Sequence, residues 1–338
     1  MSAGPANSQA ARQTPSRTPG QTMSLSRKYC PARPARLLPI LLICFTLVLQ
    51  SALSFSLVPS SRAQNQDDEV IRVNTDLVLV NVTVMDAQGK FVNGLKRADF
   101  TVMEAGQPQT VSSFTAAETP FAAAVLLDTS GSMEQRLSLG RSAAIRFLDG
   151  LRPEDVAAVY RFDTKVERLQ DFSADRDLAP GAYSIRTRGM TVLNDAIVRA
   201  ADDLSRRAER RRAIVVLSDG GENRSSASAG KALEKALAAG ATIYTVNMSS
   251  NEGVRDQQST GVLKEFANKS GGLYVASPGG QALRDSFTGI LTELGHQYTL
   301  AYRPSNRARD GSWRPIDVKL SRPDLIVRTR KGYRAPKS

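Results

Sequence analysis

Cysteine and histidine are nearly absent from this sequence, which has two Cys and one His in 338 residues. Both cysteines, Cys30 and Cys44, fall in the first 66 residues. The rest of the chain therefore has no disulfide framework and no thiol chemistry, and its folding must rest on packing. The one histidine, His296, lies far along the chain from any obvious nucleophile, so a Ser-His-Asp triad or a histidine-ligated metal has no support. Gly220-Gly221 and Gly271-Gly272 are followed by no Lys-Ser or Lys-Thr, which argues against phosphate loops. No repeat of 20 to 50 residues is evident.

Acidic residues are missing from positions 1 to 66, where seven Lys and Arg fall: Arg12, Arg17, Arg27, Lys28, Arg33, Arg36 and Arg62. The remainder holds 38 basic and 33 acidic residues, so its net charge is +5 of the overall +12. That imbalance is weak ground for a nucleic-acid partner. Arg27, Lys28, Arg33 and Arg36 precede an apolar stretch from Leu37 to Val58, with small residues around Ser60 to Ala63. The layout reads as an export signal, with mature protein starting near residue 64 and a secreted, periplasmic or envelope location. Met23 would make a more conventional start. The competing reading is an uncleaved anchor formed by residues 37–58. Cys44 follows Leu-Leu-Ile rather than a small residue, so lipidation is not expected. A cysteine-free exported part fits a bacterial envelope better than a eukaryotic extracellular space.

Residues 67–118 read as β-strands. Val73, Leu77, Leu79, Val82 and Val84 alternate with polar residues, and Asp86-Ala-Gln-Gly89 and Ala105-Gly-Gln-Pro108 supply turns. Residues 119–296 switch to alternating strands and helices. Buried strands are expected at Phe121–Leu127, Val156–Phe162, Ala213–Leu217, Ala241–Val246 and Leu273–Ala276, with an edge strand at Val166–Phe172. Helical stripes fall between them, for example Leu193, Ile197, Ala200 and Leu204. The alternation predicts an α/β fold: a doubly wound, mostly parallel sheet with helices on both faces. Residues 297–338 return to β. Neither β flank alone buries much, so the expectation is one small immunoglobulin-like sandwich into which the α/β domain is inserted.

The residues that carry chemistry follow the first expected α/β strand, where Val125-Leu-Leu127 runs into Asp128-Thr-Ser-Gly-Ser132-Met133. Gly189-Met-Thr191 precedes a helix, and Leu217-Ser-Asp219-Gly-Gly-Glu222 ends a strand. Alternate side chains of the first loop can converge beside a helix N-terminus. Thr191 comes from a neighbouring loop and Asp219 from the end of the adjacent strand, where open α/β sheets place ligands. All the donors are oxygens, a set that suits Mg²⁺ or Mn²⁺ and offers nothing soft for copper or zinc. Taken singly, each motif also fits a plainer reading, with Asp128 capping the following helix, Ser130 and Ser132 in its first turn, and Asp219-Gly a turn.

The three motifs in this order resemble the von Willebrand factor A family, in which the first reads D-x-S-x-S. The resemblance spans about residues 119 to 296, with further similarity to secreted bacterial proteins that flank such a domain with β segments. It implies that Ser130 and Ser132 bind a metal directly and Thr191 does so in the ligand-bound state, while Asp128 and Asp219 act partly through water. A Glu or Asp from a protein partner then completes the shell. The implied function is a non-enzymatic, exported adhesion or assembly module. The alternative is a regulatory or scaffold subunit of an envelope enzyme complex. A metal-activated hydrolase is weakest, because no basic histidine or second ligand cluster is present. The run Arg206 to Arg212 is expected to be a solvated last turn of a helix.

Overall fold

Strand β5 (Phe121–Asp128) is buried along its whole length because both of its faces are covered. Phe121, Ala123, Val125 and Leu127 point into one core, and Ala122, Ala124 and Leu126 into another, as the two-residue period of a strand requires. The computed structural model describes residues 77–116, 119–181, 187, 189–249, 254–277 and 279–337. The segment expected from the sequence to be an export signal, with its apolar stretch at 37–58, lies outside them. Among the described residues no helix is long and apolar enough to cross a membrane.

β5 is central in a six-stranded sheet with β6 (Val156–Phe162), β7 (Val166–Ser173), β8 (Arg211–Ser218), β9 (Ala241–Asn247) and β10 (Tyr274–Ala276), ordered β10-β9-β8-β5-β6-β7. All neighbours are parallel except β7, an antiparallel edge strand. Helix α1 (Leu137–Asp149) buries Gly140, Ala143, Ala144, Phe147 and Leu148, the i, i+3, i+4, i+7, i+8 stripe of an amphipathic helix. It covers the first face of the sheet together with α5 (Gly280–His296), whose Leu283, Phe287, Ile290 and Leu294 join the same core. The opposite face is covered by α2 (Leu193–Ser205), α3 (Ala229–Ala238) and α4 (Val254–Ser270), through side chains such as Ile197, Leu204, Leu233, Leu263 and Phe266. The doubly wound, mostly parallel sheet expected from the sequence is the one observed.

The remaining strands form two four-stranded antiparallel sheets. One is ordered β13 (Ile326–Thr329), β1 (Val78–Met85), β11 (Tyr298–Tyr302), β4 (Val111–Thr115); the other β14 (Gly332–Arg334), β12 (Trp313–Leu320), β2 (Phe100–Glu104), β3 (Gln107–Gln109). Both sheets mix strands from before and after the α/β segment: β1 pairs with β11 and β13, and β2 with β12. Their inward side chains, including Val80, Val82, Val102, Tyr298, Leu300 and Val318, share one apolar core.

Three details differ from the sequence reading. The turn at Ala105-Gly106 is shorter than expected, with Ala105 at φ 47°, and Pro108 lies in β3 rather than in the turn. β3 is an edge strand, where a missing N–H breaks no ladder bond on the outer side. β14 carries only three residues and no readable alternation. The basic run divides: Arg206 ends α2, but Arg211 opens β8 and is fully buried, donating to the Thr119 carbonyl at 2.6 Å. Burial pushes its guanidinium down to about 10. Arg212 is tied to three carbonyls, of Glu209, Ala239 and Arg207. These two arginines staple a strand to its surroundings, Arg211 fully buried and Arg212 half-buried.

Candidate metal centre

The sheet brings the predicted loops together at the carboxyl ends of β5 and β8, which are neighbours. From β5 the chain winds one way through β6 and then resumes on the other side at β8, so a crevice opens between them. Asp128 is the last residue of β5, and Asp219 directly follows β8.

Asp128 is buried, and its carboxylate is held at both oxygens. The Ser130 N–H donates to Oδ1 at 2.9 Å and the Ser218 hydroxyl to Oδ2 at 2.5 Å. Of about four acceptor positions on a carboxylate, two remain. Ser130 is the N-cap of a short 3₁₀ turn, Gly131–Arg136, that leads into α1, and its side chain makes no capping bond. Asp128 therefore does not serve as the cap. The Ser130 and Ser132 hydroxyl oxygens instead stand 3.1 Å from each other, with Ser132 at the surface.

Thr191 reaches the same place from the loop before α2. The Gly131 N–H bonds the Gly189 carbonyl at 3.4 Å, joining that loop to the serine loop. Thr191 N donates to Asn223 Oδ1 at 2.8 Å, and its carbonyl accepts from the amides of Asn223 and Arg224 at 3.2 Å, joining it to the loop after β8. A methyl group built on Gly221 would stand 3.1 Å from Asp219 Oδ1 and 3.6 Å from Thr191 Oγ1, so both oxygens border one small space. Burial is the main reason the Asp128 carboxyl is pushed up to about 6, its hydrogen bonds oppose the shift, and the nearby Asp219 charge adds to it. Three hydrogen-bonded loops at this end of the sheet thus bear five oxygen side chains, two of them carboxylates, and the chemistry of that donor set fits a small hard divalent cation. Among the described residues no group of three or more His, Cys, Asp or Glu forms a rival site.

Three further residues support the site. Ser218 holds Asp128 and also accepts from the Gly220 amide at 2.9 Å. Asn223 fixes Thr191. Glu222 accepts from the Asn194 amide at 2.9 Å and from the Ser225 hydroxyl at 2.7 Å, tying the start of α2 to the β8 loop. Their types and position just past a buried strand were visible in the sequence, but which oxygen each would meet depends on strand register. His296 is peripheral: its ring stacks on Phe91 with centroids 5.1 Å apart.

Residues 123–222 match the family model described as the von Willebrand factor type A domain, and all five predicted site residues fall inside that span. The chain therefore carries a von Willebrand factor type A domain. No curated protein matches the chain. Similar solved structures include an aerotolerance-related membrane protein from Bacteroides fragilis, at 20% identity over 52% of this chain and 98% of that one, with a TM-score of 0.43. The vWF domain of the type V pili tip protein Mfa5 from Porphyromonas gingivalis is 13% identical over 52% and 95%, with a TM-score of 0.43. The PilB minor pilin from Streptococcus sanguinis is 15% identical over 53% and 62%, with a TM-score of 0.41.

Gly221→Ala tests the crevice directly. Gly221 has no left-handed backbone requirement, so the methyl group costs the fold little, yet it stands against Asp219 Oδ1. The expected result is an unchanged melting temperature in EDTA and Mg²⁺ affinity at least about tenfold weaker by titration calorimetry. Equal affinity would mean that the cation does not enter the space beside Gly221.

Proposed function

We propose that this chain is an exported, non-enzymatic adhesion or assembly module that grips an acidic residue of a protein partner through Mg²⁺ or Mn²⁺. Asp128, Ser130, Ser132, Thr191 and Asp219 would hold the ion, which supplies a Lewis-acidic contact for the partner's carboxylate. The observation that carries this reading is that three loops at the carboxyl ends of β5 and β8 are tied together by hydrogen bonds and between them bear five oxygen side chains, of which two are carboxylates. Two carboxylates balance a divalent charge but leave coordination positions open, and hard cations take further oxygen ligands. Neighbouring groups divide the labour. Ser218 and the Ser130 amide orient Asp128, while Asn223 and Glu222 fix the loops that bear Thr191 and Asp219.

The test is capture of partners from the envelope fraction of the source cells, in Mg²⁺ and in EDTA. Capture should require Mg²⁺ and should fail with Asp128→Ala. Undiminished capture by that variant in EDTA would separate partner binding from the crevice and sink the proposal. Thr191→Ala gives a finer result. It should weaken capture by about tenfold or more while changing Mg²⁺ affinity only about twofold, as expected for a ligand recruited when the partner arrives. Equal losses in both would make Thr191 an ordinary resident ligand.

A further inference from the structure

A second concave site lies at the other end of the sheet, where α3 meets the β-sandwich. It is a cavity of about 920 Å³, large enough for a sugar-sized ligand. Eight Lys and Arg line it against two carboxylates, Glu234 and Asp310. The two carboxylates offset two of these charges and leave the lining basic. Glu234 pairs with Lys231 at 2.9 Å, and Asp310 accepts the Ser312 amide at 2.9 Å.

The cations are held in place by the fold. Arg314 on β12 is buried and donates to the carbonyls of Asn306 and Ala308, both at 2.5 Å, which pins the loop between β11 and β12 against the cavity. Glu104, 3.6 Å from Arg314, offsets that charge inside the wall and also accepts from the hydroxyls of Tyr302 and Tyr333. The pinned loop presents Arg303 and Arg307, which are exposed and make no ion pair among the described residues. Arg330 is buried in the wall, and its hydrogen bonds go to two neutral carbonyls, of Leu79 and Gly332, rather than to a carboxylate. Arg314 Nε is buried without a partner. Leu79, Leu237 and Tyr333 add apolar surface.

We propose that this cavity binds a small multivalent oxyanion: a sugar-sized molecule carrying two or more phosphate or sulfate groups. Arginine forks match the paired oxygens of such groups, and cations spread around a rim favour several charges on one ligand over a single anion. The apolar wall gives a ring a face to pack on. Carboxyl-end metal binding and amino-end oxyanion binding are separate, so either can fail alone.

The experiment is titration calorimetry of the full chain in EDTA, which removes the metal site from the measurement. Inositol hexakisphosphate represents phosphate esters and sucrose octasulfate represents sulfate esters. At least one should bind at one equivalent, and whichever binds tighter identifies the source chemistry. Arg303→Gln with Arg307→Gln should weaken that binding by about tenfold or more, while the charge-matched pair Arg206→Gln with Arg284→Gln, outside the cavity, should leave it within about twofold. All four side chains are exposed, so unchanged melting is expected throughout. Absence of saturable binding by either probe, or equal weakening by both double variants, would overturn the proposal.

Discussion

Asp128→Asn is expected to abolish the response of the fold to Mg²⁺ without weakening the fold itself. A cation bound only by the folded chain stabilises it by about 2.7 kcal/mol at a hundred times its dissociation constant, which corresponds to a rise of roughly 5–10 °C in Tm for a chain of this size. The wild type should show that rise between EDTA and Mg²⁺ in scanning calorimetry, and the variant should show none. In EDTA the comparison runs the other way. The Asp128 carboxyl is pushed up to about 6 by burial, whereas an unfolded aspartate ionises near 4, so above pH 6 its charge opposes folding. Asparagine keeps an acceptor for the Ser130 amide and offers Ser218 a donor in place of the second oxygen. The variant should therefore melt at or above the wild type when metal is absent. A variant that still responds to Mg²⁺ would remove Asp128 from the site. One that melts well below wild type in EDTA would make its hydrogen bonds, rather than a cation, the reason for its burial.

The α/β sheet was legible because its strands are buried on both faces and read as apolar runs. β6 begins and ends at the expected residues, and β5, β8 and β9 extend beyond expectation only at their ends. The extensions are polar: Asp128, Ser218 and Asn247 continue the ladder past the apolar run, where hydropathy gives no signal. The start of β8 was obscured in the same way, because Arg211 reads as a surface residue although it is buried, with a bond to the Thr119 carbonyl and the Asp155 charge nearby. The five site residues were legible as types at spacings. Ser218, Asn223 and Glu222 were not assigned roles, because what each touches comes from loops some 30 to 90 residues away. The oxyanion cavity was invisible for a related reason. Arg303, Arg307, Arg314 and Arg330 are scattered through the last strands and loops, and the pairing of β12 with β14 and the packing beside α3 gather them.

Glu293→Ala should be the most destabilising single change outside the apolar cores. Glu293 is on α5, yet it is buried where the α/β sheet meets the sandwich. Its Oε1 accepts from Thr83 of β1 at 3.2 Å and from Tyr244 of β9 at 2.9 Å, while Oε2 pairs with Arg328 of β13. Gln297 closes the network by donating to both Thr83 and Tyr244. Burial, helped by the Glu293 charge, holds the Tyr244 hydroxyl well above its usual range, so it remains a donor at any working pH. Removing the carboxylate leaves Arg328 without its counter-charge and Tyr244 without its acceptor. Breaking a buried pair from one side costs about 3–5 kcal/mol, or roughly 6–20 °C in Tm for a chain of this size. Glu293→Gln, which keeps the acceptor and loses only the charge, should fall between. Because Asn81 of β1 also donates to the Gly240 carbonyl and the Thr242 hydroxyl, the junction has a second tie, and the Ala variant should still unfold in one transition. Two resolved transitions would mean that Glu293 alone couples two units of separate stability. An unchanged Tm would mean that the network's attraction only offsets the cost of burying it.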